Sequence, residues 1–480
     1  MNAHLRNLPC VAALAGACLV AGAEPPRPNI LLVLSDDHSA PHVGCYGEAN
    51  CRRLNLTPNL DAFAAKGMRF DRAYTAAPQC APSRTSIFAG RSPVGLGSTR
   101  FAQPARGDVR FFSDVLRERG YWVGLDGRHQ HLDGKLHEPA HIAETLRENG
   151  MRNLEGRFDH FVRHFPTKGK NLQKVGDRFT AALDKVPEGK PWFLYFGFSQ
   201  THRPFGDRHE GIDPADLTLP PDWPDLPEVR ADYAHFLDDV RDLDEGFGLL
   251  IKALDERGLA GRTLVVFMGD NGEPLLRGKG TLFTRGIHVP LLVRWPGKVR
   301  AGTSSDMLIS GVDLAPTFLA AAGLEKPEGM TGLSFLPALL GEPSMGRTHV
   351  FAERAWHWGP ITRSDGFDLS RSVTTRRYHY IYNALPNHPY MPVDMPGHPA
   401  WTAIQAAHKA GRLSPLHERL YFRNPRPLLE LYDLQNDPWQ LRNLASDKDH
   451  KDVERQLRTE LEKWMVRESD YLPLPSHVVR

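Results

Sequence analysis

"NILLVLSDD", residues 29–37, decides the fold: a near-continuous apolar, β-prone run that breaks abruptly into two carboxylates. An apolar run without alternation reads as a strand buried on both faces. The same pattern of apolar run and polar burst recurs in "GYWVGLDGRHQH" (120–131), "WFLYFGFSQTH" (192–202) and "TLVVFMGDNG" (263–272). Helical patterns separate them. Thr57-Pro58 supplies a cap and a first-turn proline, and Gly67 a stop. Further on, Val229, Tyr233, Phe236, Val240, Leu243, Phe247, Leu250 and Leu254 recur at helical steps, a stripe suited to packing on a sheet. Strands alternating with helices predict an α/β fold with a mostly parallel central sheet flanked by helices. Ligands of such sheets sit outside the carboxyl ends of the strands. Asp36, Asp37, Arg128, His131, His202, Asp270 and Asn271 are therefore expected on one rim.

The 480 residues, 41% hydrophobic and 24% charged, are enough for a large core and a second, smaller domain. A net charge of +2 gives no bulk electrostatic support for nucleic-acid or membrane-surface binding, so an anionic substrate must be captured by local cations. Residues 1–23 read as a signal peptide: Arg6, an apolar run from Leu8 to Val20, and small residues at Ala21-Gly22-Ala23. The expectation is an exported protein, periplasmic or secreted. Lipid attachment at Cys18 is a weaker reading, because Ala15 stands where such signals prefer Leu. No segment is long and apolar enough to be a good membrane span. After the signal, Cys45, Cys51 and Cys80 remain; a Cys45–Cys51 loop is conceivable in an oxidising compartment, which leaves Cys80 as the odd thiol. "VPLLVRWPG" (289–297) and "MLISGVDLAPTFLAAAGL" (307–324) complete a main domain over 24–345. The remainder, 346–480, with strand-like "RRYHYIYNAL" (376–385) and a final helix bearing Val453, Leu457, Leu461 and Trp464, reads as a smaller C-terminal α+β domain contributing to the substrate pocket.

Asp36, Asp37, Asp270 and Asn271 offer only oxygen ligands, a set that favours Ca²⁺ or Mg²⁺ over Zn²⁺. Each cluster alone reads more simply, "SDDH" as a turn or helix cap and "GDNG" as a loop turn; their shared placement lifts the metal reading. Arg84, Arg128, Lys279, His131 and His202 are candidate cations around it, suited to a tetrahedral oxyanion in sulfuryl or phosphoryl transfer. Cys80 is the candidate nucleophile, because a helix N-terminus and Arg84 would both stabilise an anion there. Its plain alternative is a small buried core residue.

Cys80-Ala81-Pro82-Ser83-Arg84, running on through "TSIFAGR", resembles the signature of type I sulfatases, in which the cysteine is oxidised to formylglycine. "NILLVLSDD" and "GDNG" are similar to the family's two metal-ligand segments. "GKGTLFTRGIHVPLLVRWPG" (278–297) is similar to its second lysine motif, and "LYDLQNDPWQLRNLA" (431–445) to its C-terminal motif. The resemblance spans roughly residues 28–470. It implies an alkaline-phosphatase-like fold and one calcium ion held by Asp36, Asp37, the formylglycine at position 80, Asp270 and Asn271. It implies that Arg84, Lys279 and His202 grip the sulfate or assist the leaving group. The hydrated aldehyde would offer one hydroxyl to attack sulfur and a second to expel sulfate as the aldehyde reforms. Pro82 and Arg84 would be recognition elements for the formylglycine-generating enzyme, a maturation partner.

One segment departs from the family pattern. Where members show Gly-Lys-x-His-Leu-Gly, this chain reads Gly127-Arg128-His129-Gln130-His131-Leu132-Asp133-Gly134. Arg128 is expected to replace the sulfate-binding lysine and His131 to be the general base, with His129 one register away. "GDNGEPLLRGKGTLF", "FSQTHRPF" and the run from "VFAERAWHW" (350–358) through "RSVTTRRYHYIYNAL" (371–385) are most similar to heparan sulfamidases, the N-sulfoglucosamine sulfohydrolases. That likeness nominates His357 and Arg354 for the substrate subsite. The expected activity is removal of sulfate from a sulfated carbohydrate, in glycan degradation. The alternatives are a phosphodiesterase or phosphonate monoester hydrolase of the same fold, or a non-catalytic glycan-binding protein with Cys80 unconverted.

Overall fold

The structure is a computed structural model that describes residues 27–101, 105–133, 140–148, 154, 156–162, 167–209, 211–357 and 366–477. The expected signal peptide, with Cys10 and Cys18, lies outside the described residues. Eight strands form one sheet: β1 (Asn29–Ser35), β2 (Met68–Tyr74), β3 (Trp122–Asp126), β4 (His160–Val162), β5 (Trp192–Gly197), β6 (Thr263–Gly269), β7 (Leu291–Arg294) and β8 (Thr303–Ser310). Their order is β4-β3-β5-β1-β6-β7-β2-β8. The four apolar runs are thus four neighbours, β3-β5-β1-β6, all parallel. β7 runs against both β6 and β2.

Burial on both faces explains why β1 carries no alternation. Ile30, Leu32 and Leu34 face a core with Phe88, Phe112, Phe193 and Phe318. Leu31 and Val33 face a second core on the opposite side, with Phe63, Phe179, Phe247 and Phe267. Each fully buried side chain of this kind stabilises the fold by about 1.5–3 kcal/mol. The long stripe lies on the helix Pro227–Glu256, and all eight of its residues are buried. Thr57-Pro58 does open a helix, Pro58–Ala65.

A second sheet is antiparallel, in the order β12-β11-β10-β9: β9 (Val350–Arg354), β10 (Ser370–Thr374), β11 (Tyr378–Asn383) and β12 (Leu429–Asp433). The helix Lys451–Arg467 covers it with Leu457, Leu461 and Trp464. Cys45 and Cys51 are free thiols, so the conceivable disulfide loop is not formed.

Candidate functional site

The polar bursts gather where the strand pattern puts them. Asp36 and Asp37 follow β1, Gly127 to His131 follow β3, Ser199 to His202 follow β5, and Asp270 and Asn271 follow β6. Asp37 at φ 61° and Arg128 at φ 52° hold the left-handed backbone conformation without being glycine. Such residues persist only where the surroundings over-determine them, and they cluster at functional sites.

Cys80 opens the helix Cys80–Ala89, every residue of which is buried. Its Sγ donates to Asp37 Oδ1 at 3.5 Å. Burial pushes the thiol well above its ordinary range; Lys279 pulls the other way, while Asp36, Asp37 and Asp270 push further up. Burial and three carboxylates thus oppose a thiolate at Cys80, with Lys279 favouring one.

Arg84, one turn along the same helix, is fully buried between carboxylates. Its Nε donates to Asp270 Oδ2 at 2.8 Å, and its Nη2 lies 3.2 Å from Asp36 Oδ1. Its Nη1 donates to the Tyr195 hydroxyl. Arg128 pairs with the other oxygen of Asp36. Burial raises Asp36, but Arg128 and Arg84 outweigh it and hold the carboxyl well below the usual range. Asp270 is pushed up instead, by burial first, with Asp36 and Asp37 outdoing part of the help from Arg84. Lys279 Nζ donates to Asp37 Oδ2 at 2.8 Å and to Asp394 Oδ2 at 2.6 Å.

Of the two histidines one register apart, His131 joins the cluster, with Nδ1 3.9 Å from Asp36 Oδ1. His129 stands edge-on to Phe161. His202 places Nε2 3.8 Å from Asp37 Oδ2. Burial lowers both His131 and His202 below the ordinary histidine range, so both are neutral near pH 7. His357 is also brought in: Nε2 lies 3.5 Å from Asp394 Oδ1, and Nδ1 is 3.3 Å from Gln79 Nε2. Arg354 turns elsewhere. It donates to the Gly280 carbonyl and lies 3.9 Å from Asp368, lining a cavity beside the small sheet.

Asp394 was not singled out from the sequence. It sits in "YMPVDMPGHP", a proline-rich loop with no local signature, at φ 63°. Only the fold shows that this carboxylate bridges Lys279 and His357.

The donor set fits a hard divalent cation. Asp36, Cys80, His131 and Asp270 bring one ligand atom each to within 4.8 Å of one another. The Oδ1 of Asn271 is buried without a hydrogen bond, beside Asp36 oxygens held by ion pairs to Arg84 and Arg128. A buried amide oxygen left open next to carboxylates is what Ca²⁺ or Mg²⁺ takes.

Two family models match the chain: "Sulfatase" over residues 28–324 and "N-sulphoglucosamine sulphohydrolase, C-terminal" over 272–393. The human N-sulphoglucosamine sulphohydrolase is 30% identical, across 96% of this chain and 94% of that protein. An ulvan-active sulfatase of Formosa agariphila is 27% identical, across 94% of this chain and 77% of the relative. Among solved structures, the phosphonate monoester hydrolase of Silicibacter pomeroyi superposes with a TM-score of 0.68 at 21% identity, covering 93% of this chain and 96% of that one. The last likeness shows the shared alkaline-phosphatase-like fold alone.

Proposed function

The chain belongs to the sulfatase family, a family of hydrolases, and from that premise we propose that it removes sulfate from a sulfated carbohydrate, as an ester or a sulfamate. The observation that carries the reading is the meeting of Cys80 with Asp36, Asp37, Asp270 and Lys279 at the end of a fully buried helix. Cys80 converted to formylglycine would supply a geminal diol in place of the thiol. Asp36, Asp37, Asp270, Asn271 and residue 80 would hold one calcium ion, which when bound supplies positive charge for the sulfate oxygens and the nucleophile.

The chain's own residues do the rest. Arg84 fixes the carboxylates of Asp36 and Asp270 on one planar guanidinium, which sets the ligand geometry. Lys279 keeps its proton: burial opposes the charge, but Asp37 and Asp394 outweigh it. It and Arg128 present positive charge to the oxygens of a tetrahedral anion. His131, neutral and buried, is suited to take the proton from residue 80 when the aldehyde reforms. His202, on the partly open side, is placed to serve the leaving group. His357 and Asp394, paired with each other beside Lys279, are our candidates for the sugar subsite, and N-sulfoglucosamine is a candidate substrate, since the human relative bears that name. Export to the periplasm or beyond belongs to the same proposal; among the described residues no helix is long and apolar enough to cross a membrane.

The test is free sulfate release across a panel of N-, 2-O-, 4-O- and 6-O-sulfated saccharides, with Cys80→Ala as control. Release from at least one sugar, lost in the control while the melting temperature holds, supports the reading. Turnover of phosphonates or phosphodiesters alone would replace it with the hydrolase whose fold is shared.

A further inference from the structure

Against the small sheet, between its strands, the loop 277–283 and the helix Pro415–Phe422, lies a cavity of about 570 Å³, within the size range of small-molecule sites. Six arginines line it, Arg277, Arg354, Arg419, Arg423, Arg426 and Arg442, against two carboxylates, Asp368 and Glu430. In a chain whose net charge is only +2, that is a local concentration of cations.

The two carboxylates are already committed. Asp368 takes both arms of Arg426, at 2.8 and 3.1 Å. Glu430 accepts from Asn383 Nδ2 at 2.6 Å and from the Tyr432 hydroxyl. Arg277 is spent on Asp222 at 3.2 Å and on the carbonyls of Trp439 and Gln440. Arg442, 78% exposed, has Asp447 at 3.7 Å as its one ion-pair partner among the described residues, a surface pair of little strength. Arg419 and Arg423 are exposed and have no acidic partner among the described residues. They stand four apart, at the end of the helix Pro415–Phe422 and just beyond it, a spacing that puts both on one side. Phe367, 42% exposed, adds an apolar face to the same wall.

The cavity is not the Cys80 site, but the two share a partition. Pro389, Tyr390 and Met391 line the cavity, and Asp394 of the same segment reaches Lys279. Excess guanidinium groups with an apolar face call for a planar or tetrahedral oxyanion carried on a partly apolar ring. We propose that this cavity is a second, non-catalytic site for an anionic sugar unit, bound through its sulfate or carboxylate by Arg419 and Arg423. The proposal rests on the reading of the substrate as a sulfated glycan.

Titration calorimetry on the Cys80→Ala protein, which removes the turnover nucleophile, tests it with three probes: a heparin-derived tetrasaccharide, its desulfated form, and sodium sulfate. The expected result is tetrasaccharide binding that weakens by ~10-fold or more on adding Arg419→Ser and Arg423→Ser, the loss of charged hydrogen bonds. Arg455→Ser, a comparably exposed arginine on the helix Lys451–Arg467, should leave it unchanged. Equal affinity in the double variant overturns the proposal, as does an equal loss from Arg455→Ser. Sodium sulfate binding as tightly as the tetrasaccharide, and with the same sensitivity to Arg419 and Arg423, would make the cavity a simple ion site. Should no panel sugar release sulfate while the arginine-dependent binding persists, the catalytic reading fails and this site stands.

Discussion

Arg84 is the residue on which two other side chains depend. Its guanidinium faces Asp270 and Asp36 with no exposure to solvent, a geometry that a lysine cannot reproduce because a single ammonium has no planar fork. Arg84→Met should leave buried carboxylates uncompensated and cost about 3–5 kcal/mol, read as a lower denaturation midpoint. Asp270→Asn tests the metal proposal more gently. It removes a ligand charge while keeping the shape, so calcium affinity and sulfate release should fall together; activity untouched by the substitution and by chelator would contradict the calcium assignment. Most of this cluster was legible in the sequence, because strand-end carboxylates and the cysteine signature are local patterns. Asp394 and the Tyr195 hydroxyl were not, since their partners lie 115 and 111 residues away and nothing near them in sequence marks the meeting. Arg354 illustrates the reverse: it lies three residues from His357, yet the sheet directs the two side chains to different places.

At the scale of elements, the helix Cys80–Ala89 links the chemistry at its start to the core at its end. Phe88 is fully buried and meets the rings of Phe111, Phe112, Phe193 and Tyr195. Phe88→Ala should destabilise the protein by about 3–5 kcal/mol in urea unfolding, and the loosened helix should carry Cys80 and Arg84 with it, lowering turnover per folded molecule. The strands β1, β3, β5 and β6 could be read because burial on both faces erases alternation. β7 was readable as a strand but not as the reversed one, since side-chain patterns carry no direction. β2, "MRFDRAY", escaped notice because its charged residues sit among the apolar ones on an outer part of the sheet, where burial is partial. β4, only three residues long, gives too short a pattern to read.

Across the whole molecule, the small sheet is tied down by a fully buried ion pair: Arg371 Nη2 donates to Asp470 Oδ1 at 2.9 Å, just after the last long helix. Asp470→Asn should destabilise the fold, by up to about 3 kcal/mol, because the buried guanidinium loses its hydrogen-bonded carboxylate and keeps only Glu353 as counter-charge. The same sheet holds His379, which burial lowers to about 3. Above pH 6.5 this histidine is neutral folded or unfolded. As pH falls below 6.5 only the unfolded chain takes the proton, so its contribution to stability is lost progressively toward pH 3. His379→Gln, which keeps an acceptor for Gln440, should therefore reduce the drop in unfolding free energy between pH 7.5 and 5 by about 2 kcal/mol. Equal drops in the two proteins would contradict the assignment. The burial of Cys80 also sets a schedule. Its helix is sealed by the sheet, and β1 at the sheet's centre cannot be flanked until β6 exists, roughly 190 residues of synthesis after Cys80, or some 10–40 s at ordinary rates. If Cys80 is converted as proposed, the converting enzyme would have to reach it before that strand arrives. Sheet closure would then be a deadline for the chemistry at this position.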